Sequence, residues 1–92
     1  MLFMVQCLDK PDSLELRKAT RPAHVDYLKG RLGHIVIAGA ILADDNETMI
    51  GSGYVLDFED RAQVDAFYAD DPYVKAGLYQ SIIIKPYRKA LP

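Results

Sequence analysis

Apolar and polar positions follow two alternating periods along this chain, and the switches between them predict a strand–helix–strand–strand–helix–strand order. Leu2–Leu8 is a short apolar run broken only by Gln6 and halted by Asp9-Lys10-Pro11-Asp12, which predicts a buried strand. Ser13 is placed to cap a short turn over Leu14–Lys18. Thr20 is placed to cap the main helix, with Pro22 in its first turn, where a missing N–H costs least. Val25, Leu28 and Leu32 follow at near-helical spacing, and Gly30 and Gly33 mark the exit. His34–Ala43, rich in Ile and Val, predicts the second strand and ends in the turn chemistry of Asp44-Asp45-Asn46-Glu47. Met49–Phe58 predicts the third strand, with Gly51 and Gly53 in its first half. Glu59-Asp60 precedes an amphipathic helix over Arg61–Ala69 that turns Val64, Phe67 and Tyr68 inward. Asp71-Pro72 and Gly77 bracket one further helical turn, and Tyr79–Tyr87 predicts the last strand.

A βαββαβ order predicts one α+β domain over residues 1–92: a ferredoxin-like, four-stranded antiparallel sheet with two helices on one face. Chain directions follow from that arrangement. The upper rim collects His24, Gly39–Ala43, Gly51-Ser52 and Asp70–Tyr73. The lower rim receives Gly30–Gly33, Phe58–Arg61 and the C-terminus, a poorer set of functional groups.

Alternation along the strands supplies apolar side chains to both faces of the sheet. Val36, Ala38 and Leu42 oppose Ile35, Ile37 and Ile41. Met4 and Leu8 oppose Phe3, Val5 and Cys7, while Tyr79, Ile83 and Tyr87 oppose Ile82 and Ile84. Two helices cover only one face. The other has a footprint of about 350 Å², and leaving it wet forgoes on the order of 9 kcal/mol at most. A patch of that size marks an interface. The expectation is a homodimer through the open sheet face, as in dimeric α/β barrels; a lipid or ligand cavity is the alternative.

Composition narrows the functional classes. The 92 residues carry a formal net charge of −2, which gives no electrostatic footprint for nucleic acid. Arg17, Lys18 and Arg21 read as solvated surface. Cys7, the single cysteine, excludes an internal disulfide and suits a reducing, cytoplasmic setting. The N-terminal apolar run lacks the basic start and length of a secretory leader, and no run approaches the ~18 apolar residues that cross a membrane. No P-loop, dinucleotide fingerprint or zinc spacing occurs, and Asp44–Glu47 lacks the spacing and glycine of a calcium loop. No cofactor is expected.

The candidate chemistry lies on the upper rim. Histidine is the side chain whose charge changes nearest neutrality, and an aspartate beside it would orient the ring. His24 and Asp71 are the candidate acid–base dyad. Arg21 could bind an anion and Ser52 could donate a hydrogen bond. Gly39, with Gly51, suggests close backbone approach or a bulge that leaves room for a ligand, and Tyr73 could wall the pocket. Each has a structural counterpart: a packed core histidine, a capping aspartate, a surface arginine, a ladder serine, an aromatic on a turn.

Asp9-Lys10-Pro11-Asp12-Ser13-Leu14, Arg21-Pro22-Ala23-His24, Ala38-Gly39, Gly51-Ser52 and Asp70-Asp71-Pro72-Tyr73 with Ala76-Gly77 occur in this order across the whole chain. In that order and spacing the chain resembles the YciI-like (YCII-related) family. The resemblance implies the ferredoxin-like fold, a barrel-like dimer and an active site at the positions of His24 and Asp71. It also implies kinship with a branch that dechlorinates a chlorinated hydroxyquinol. Where the family often shows Ala-Gly-Pro, this chain has Ala38-Gly39-Ala40. The expectation is a cofactor-free lyase or hydrolase, with dehydrochlorinase-like chemistry among its candidate reactions, acting on a small aromatic or hydroxylated metabolite. A non-catalytic ligand-binding or accessory dimer is the rival, and a purely structural dimer a third reading.

Overall fold

The first apolar run becomes an interior strand. In the computed structural model, which describes residues 1–92, β1 (Leu2–Asp9) lies between β3 (Met49–Asp57) and β4 (Tyr79–Tyr87). β2 (Ile35–Leu42) completes the antiparallel sheet in the order β2-β3-β1-β4. Helices α1 (Leu14–Lys29), α2 (Arg61–Ala69) and the short α3 (Pro72–Lys75) complete the ferredoxin-like order predicted from the sequence.

The first helix differs from expectation. Leu14–Lys29 is one helix of 16 residues, and Thr20 lies inside it instead of capping a second one. Pro22 forfeits the bond its N–H would give to the Lys18 carbonyl, at a stretch where residues 21–23 are exposed. Buried anchors on both sides of the proline, Arg17 and His24, hold the helix continuous. Ser13 precedes the helix without capping it, its hydroxyl donating instead to the Pro11 carbonyl. Leu32 lies beyond the helix, exposed in a 3-10 turn that also contains His34.

Strand alternation is interrupted by irregularities that re-aim particular side chains. Between Ile35 and Ile37 the register shifts, so Ile35 pairs with buried Leu56 while Ile37 pairs with Val55. Ile35 therefore leaves the face it was expected to share with Ile37. A second shift, between Leu8 and Asp9, places Tyr79 opposite Asp9 and turns it from the open face toward the helices. Only Gly51 has a steric reason to be glycine within the sheet. A Cβ there would fall 2.3 Å from the Cys7 carbonyl oxygen, whereas at Gly39 it would meet nothing within 4 Å.

Phe3, Val5, Cys7, Tyr54 and Leu56 of the sheet pack against Val64, Phe67 and Tyr68 of α2 to form the core. Asp60 caps α2 by accepting from the Gln63 amide at 3.0 Å. Asp71 caps α3 by accepting from the Tyr73 amide at 2.9 Å, with Pro72 in the first turn. The opposite sheet face has no cover: Met4, Ile37, Ile83 and Tyr87 are all exposed. No helix is long and apolar enough to cross a membrane.

Candidate active site

Helix α1 presents Arg17, Arg21, His24 and Leu28 at spacings of four, three and four residues, one continuous stripe. That stripe lies over the β2–β3 end of the sheet and closes a pocket of about 140 Å³. Arg21, His24, Gly39, Ser52 and Tyr73, all singled out from the sequence, line this pocket. Asp71 stands behind His24 and does not line it.

His24 is 6% exposed and Asp71 is fully buried. The Nδ1 atom of His24 lies 2.8 Å from Oδ1 of Asp71. A carboxylate only accepts hydrogen bonds, so Nδ1 donates and Nε2 keeps the free lone pair of the neutral ring. Tyr73 stacks on the imidazole, with ring centroids 3.9 Å apart and planes at 20°. One carboxylate oxygen thus receives both the imidazole and the Tyr73 amide, while Oδ2 has no partner. Capping and holding the histidine are compatible because Oδ1 accepts both bonds.

Arg17 corrects the sequence reading most. Expected on the solvated surface, it is 2% exposed and bonds both oxygens of Asp9, Nε at 2.7 Å and Nη2 at 3.0 Å. Nη2 also donates to Ser52 Oγ at 2.8 Å, and the guanidinium lies over the Tyr73 ring 4.7 Å from its centroid. Burial works against this cation, and the hydrogen bond and charge of Asp9 outweigh it, raising the pKa. Tyr73 is therefore held between guanidinium and imidazole. Ser52 lies on the pocket floor and accepts a second bond from the Tyr79 hydroxyl at 2.8 Å.

Tyr54, also unremarked in the sequence, places its hydroxyl 3.2 Å from His24 Nε2. Its position two residues beyond Ser52 on one strand was the available signal. For Arg17 the signal was the seven-residue interval to His24, hidden once the helix was divided at Thr20. Burial raises the pKa values of Tyr54, Tyr73 and Tyr79. It also pushes the Cys7 thiol up to about 12, which leaves it a weak nucleophile at neutral pH. Arg21, at the pocket mouth, is exposed and joins none of the ion pairs. No group of three or more His, Cys, Asp or Glu side chains converges as a metal site.

The YCII-related domain matches residues 1–88. Protein YciI of Escherichia coli is 35% identical, covering 97% of this chain and 98% of its own length. An uncharacterized protein of Haemophilus influenzae is 33% identical over the same shares. Among solved structures, the 5-chloro-2-hydroxyhydroquinone dehydrochlorinase TftG of Burkholderia phenoliruptrix, in complex with 2,5-dihydroxybenzoquinone, superposes with a TM-score of 0.90. It is 30% identical, with 98% of this chain and 96% of that chain covered. An antibiotic biosynthesis monooxygenase, at TM-score 0.54 and 13% identity with both chains fully covered, shares the fold alone. By match of the domain and by full-length relatives, this chain belongs to the YCII-related family.

Proposed function

We propose that this chain is a small acid–base enzyme, working without a cofactor, in which His24 moves a proton and Asp71 holds the ring. The observation that carries this reading is the buried 2.8 Å contact between them beside a pocket that also receives a serine, two tyrosines and two arginines. A pocket near 140 Å³ suits a metabolite the size of one ring. Arg21 supplies a free cation at its mouth for an anionic or hydroxylated substrate, while Val25, Leu28 and Met49 give apolar walls. The reaction class is lyase or hydrolase. In an elimination, His24 takes a proton as the leaving group departs with its electron pair. Kinship with a dehydrochlorinase makes dehydrochlorination the first reaction to try.

Chloride release from 5-chloro-2-hydroxyhydroquinone tests the reading. The parent protein should release chloride, and His24→Ala should lose ~10²–10⁴-fold while remaining folded. Equal turnover by the variant rejects the dyad. Tight binding of 2,5-dihydroxybenzoquinone, with no turnover of the chlorinated quinol, would favour the ligand-binding rival.

The assembly we propose is a homodimer through the open sheet face. Its support is the exposed aliphatic set Met4, Ile37 and Ile83 around a hollow of about 430 Å³, where Gly39 pairs with Gly53. Ile37→Glu should convert the dimer to monomer in sedimentation equilibrium; an unchanged mass would place the interface elsewhere.

A further inference from the structure

The proton order around His24 assigns a role to Tyr54. Ser52 Oγ accepts from Arg17 Nη2 and from the Tyr79 hydroxyl, each at 2.8 Å, so both of its lone pairs are taken. Asp71 accepts from His24 Nδ1, so Nε2 of the neutral ring offers a lone pair, and the Tyr54 hydroxyl, 3.2 Å away, donates to it. His24 in turn donates through Nδ1 to Asp71 at 2.8 Å. The proton order therefore runs from Tyr54 through His24 to Asp71 without a reversal.

The free nitrogen of the imidazole therefore meets a phenol. His24 and Tyr54 are 6% and 3% exposed, yet both border the pocket. We infer that Tyr54 is the catalytic residue that touches the substrate, relaying its proton to His24. This rests on the acid–base reading above and changes which atom does the first transfer. The substrate's O–H bond breaks and its proton bonds to the Tyr54 oxygen. The phenolic proton passes to Nε2 in the same movement, and the electron pair stays on the substrate oxygen. The imidazolium formed is balanced by Asp71. As the electron pair on the substrate oxygen forms a carbonyl, the leaving group departs with its bonding pair, as chloride does, and the held proton passes back through Tyr54 to water. Concerted transfer is required because burial disfavours a free phenolate at Tyr54.

Tyr54→Phe keeps the ring and removes only the hydroxyl. With 5-chloro-2-hydroxyhydroquinone, kcat should fall by ~10²–10⁴-fold while KM changes little, because the group acts in the transition state and not in binding. If His24→Ala is inactive but Tyr54→Phe turns over like the parent, the relay is wrong and the dyad stands. If both variants match the parent, the dyad fails as well. A second measurement needs neither a variant nor turnover. The nitrogen-15 spectrum of the resting parent should show His24 as the Nδ1–H tautomer, with Nε2 a hydrogen-bonded acceptor; an Nε2–H tautomer overturns the relay.

Discussion

The two histidines of this chain are a natural experiment in what makes an imidazole chemically useful. Both stack on an aromatic ring: His24 on Tyr73 at 3.9 Å and 20°, His34 on Phe58 at 4.4 Å and 9°. Both bring Nδ1 to an oxygen, at 2.8 Å for His24 and 2.9 Å for His34. The acceptors differ. His24 meets a buried carboxylate, whereas exposed His34 meets the backbone carbonyl of Asp57. A neutral carbonyl fixes orientation; a carboxylate also compensates the positive charge that appears when the ring takes a proton. Enclosure then keeps water from screening that compensation. Stacking and a pinned Nδ1 are thus scaffolding common to both rims, and the upper rim alone adds charge and burial.

The largest effect should separate the two sites in turnover. His34→Ala should retain chloride release from the chlorinated quinol within about twofold, beside the ~10²–10⁴-fold loss at His24. A comparable loss at His34 would dissolve the contrast. In stability, Asp71→Ala removes the cap of α3 and leaves a buried Nδ1–H without an acceptor, so chemical denaturation should show a loss of about 2–4 kcal/mol. His34→Ala, at an exposed site, should stay within ~0.5 kcal/mol. Equal losses would make both histidines equivalent structural pins.

The smallest effect is a pH response of the enclosed rim. Cys7, Tyr54, Tyr68 and Tyr79 have pKa values raised chiefly by burial. Each is an acid whose neutral form the fold favours. Its contribution is complete below the unfolded-state pKa and disappears as pH climbs through the folded one. For Cys7 that window runs from 9.0 to about 12. Unfolding free energy should hold level from neutrality to about pH 8.5 and decline above it. At pH 8 the thiol should resist iodoacetamide in the native state and react in denaturant. Rapid native labelling would show a core that opens more readily than its burial implies.

Element order, strand extents and the gathering of His24, Arg21, Gly39, Ser52, Asp71 and Tyr73 at one end of the sheet were legible in the sequence. Period-two and period-3.6 patterns, together with topology, determine which residues share a rim. Three features escaped that logic because tertiary contacts decide them. The helix continues through Pro22 since Arg17 and His24 have buried partners on either side. Strand irregularities reassign Ile35 and Tyr79 to the other face, and alternation has no means of locating an extra residue. Arg17 is an interior cation only because Asp9 meets it across the loop. At Gly39 no close backbone approach exists; the surroundings are open and the residue lines the pocket.

Asp71 performs two tasks through a single oxygen, steadying the turn at the Tyr73 amide and gripping the imidazole. A library sorted for heat resistance would therefore score this position as architecture, and, on the proposed acid–base role, one sorted for product would score it as machinery. Neither sort alone could divide the credit. Any mutational path that removes this carboxylate must first rebuild the corner of the chain that it steadies.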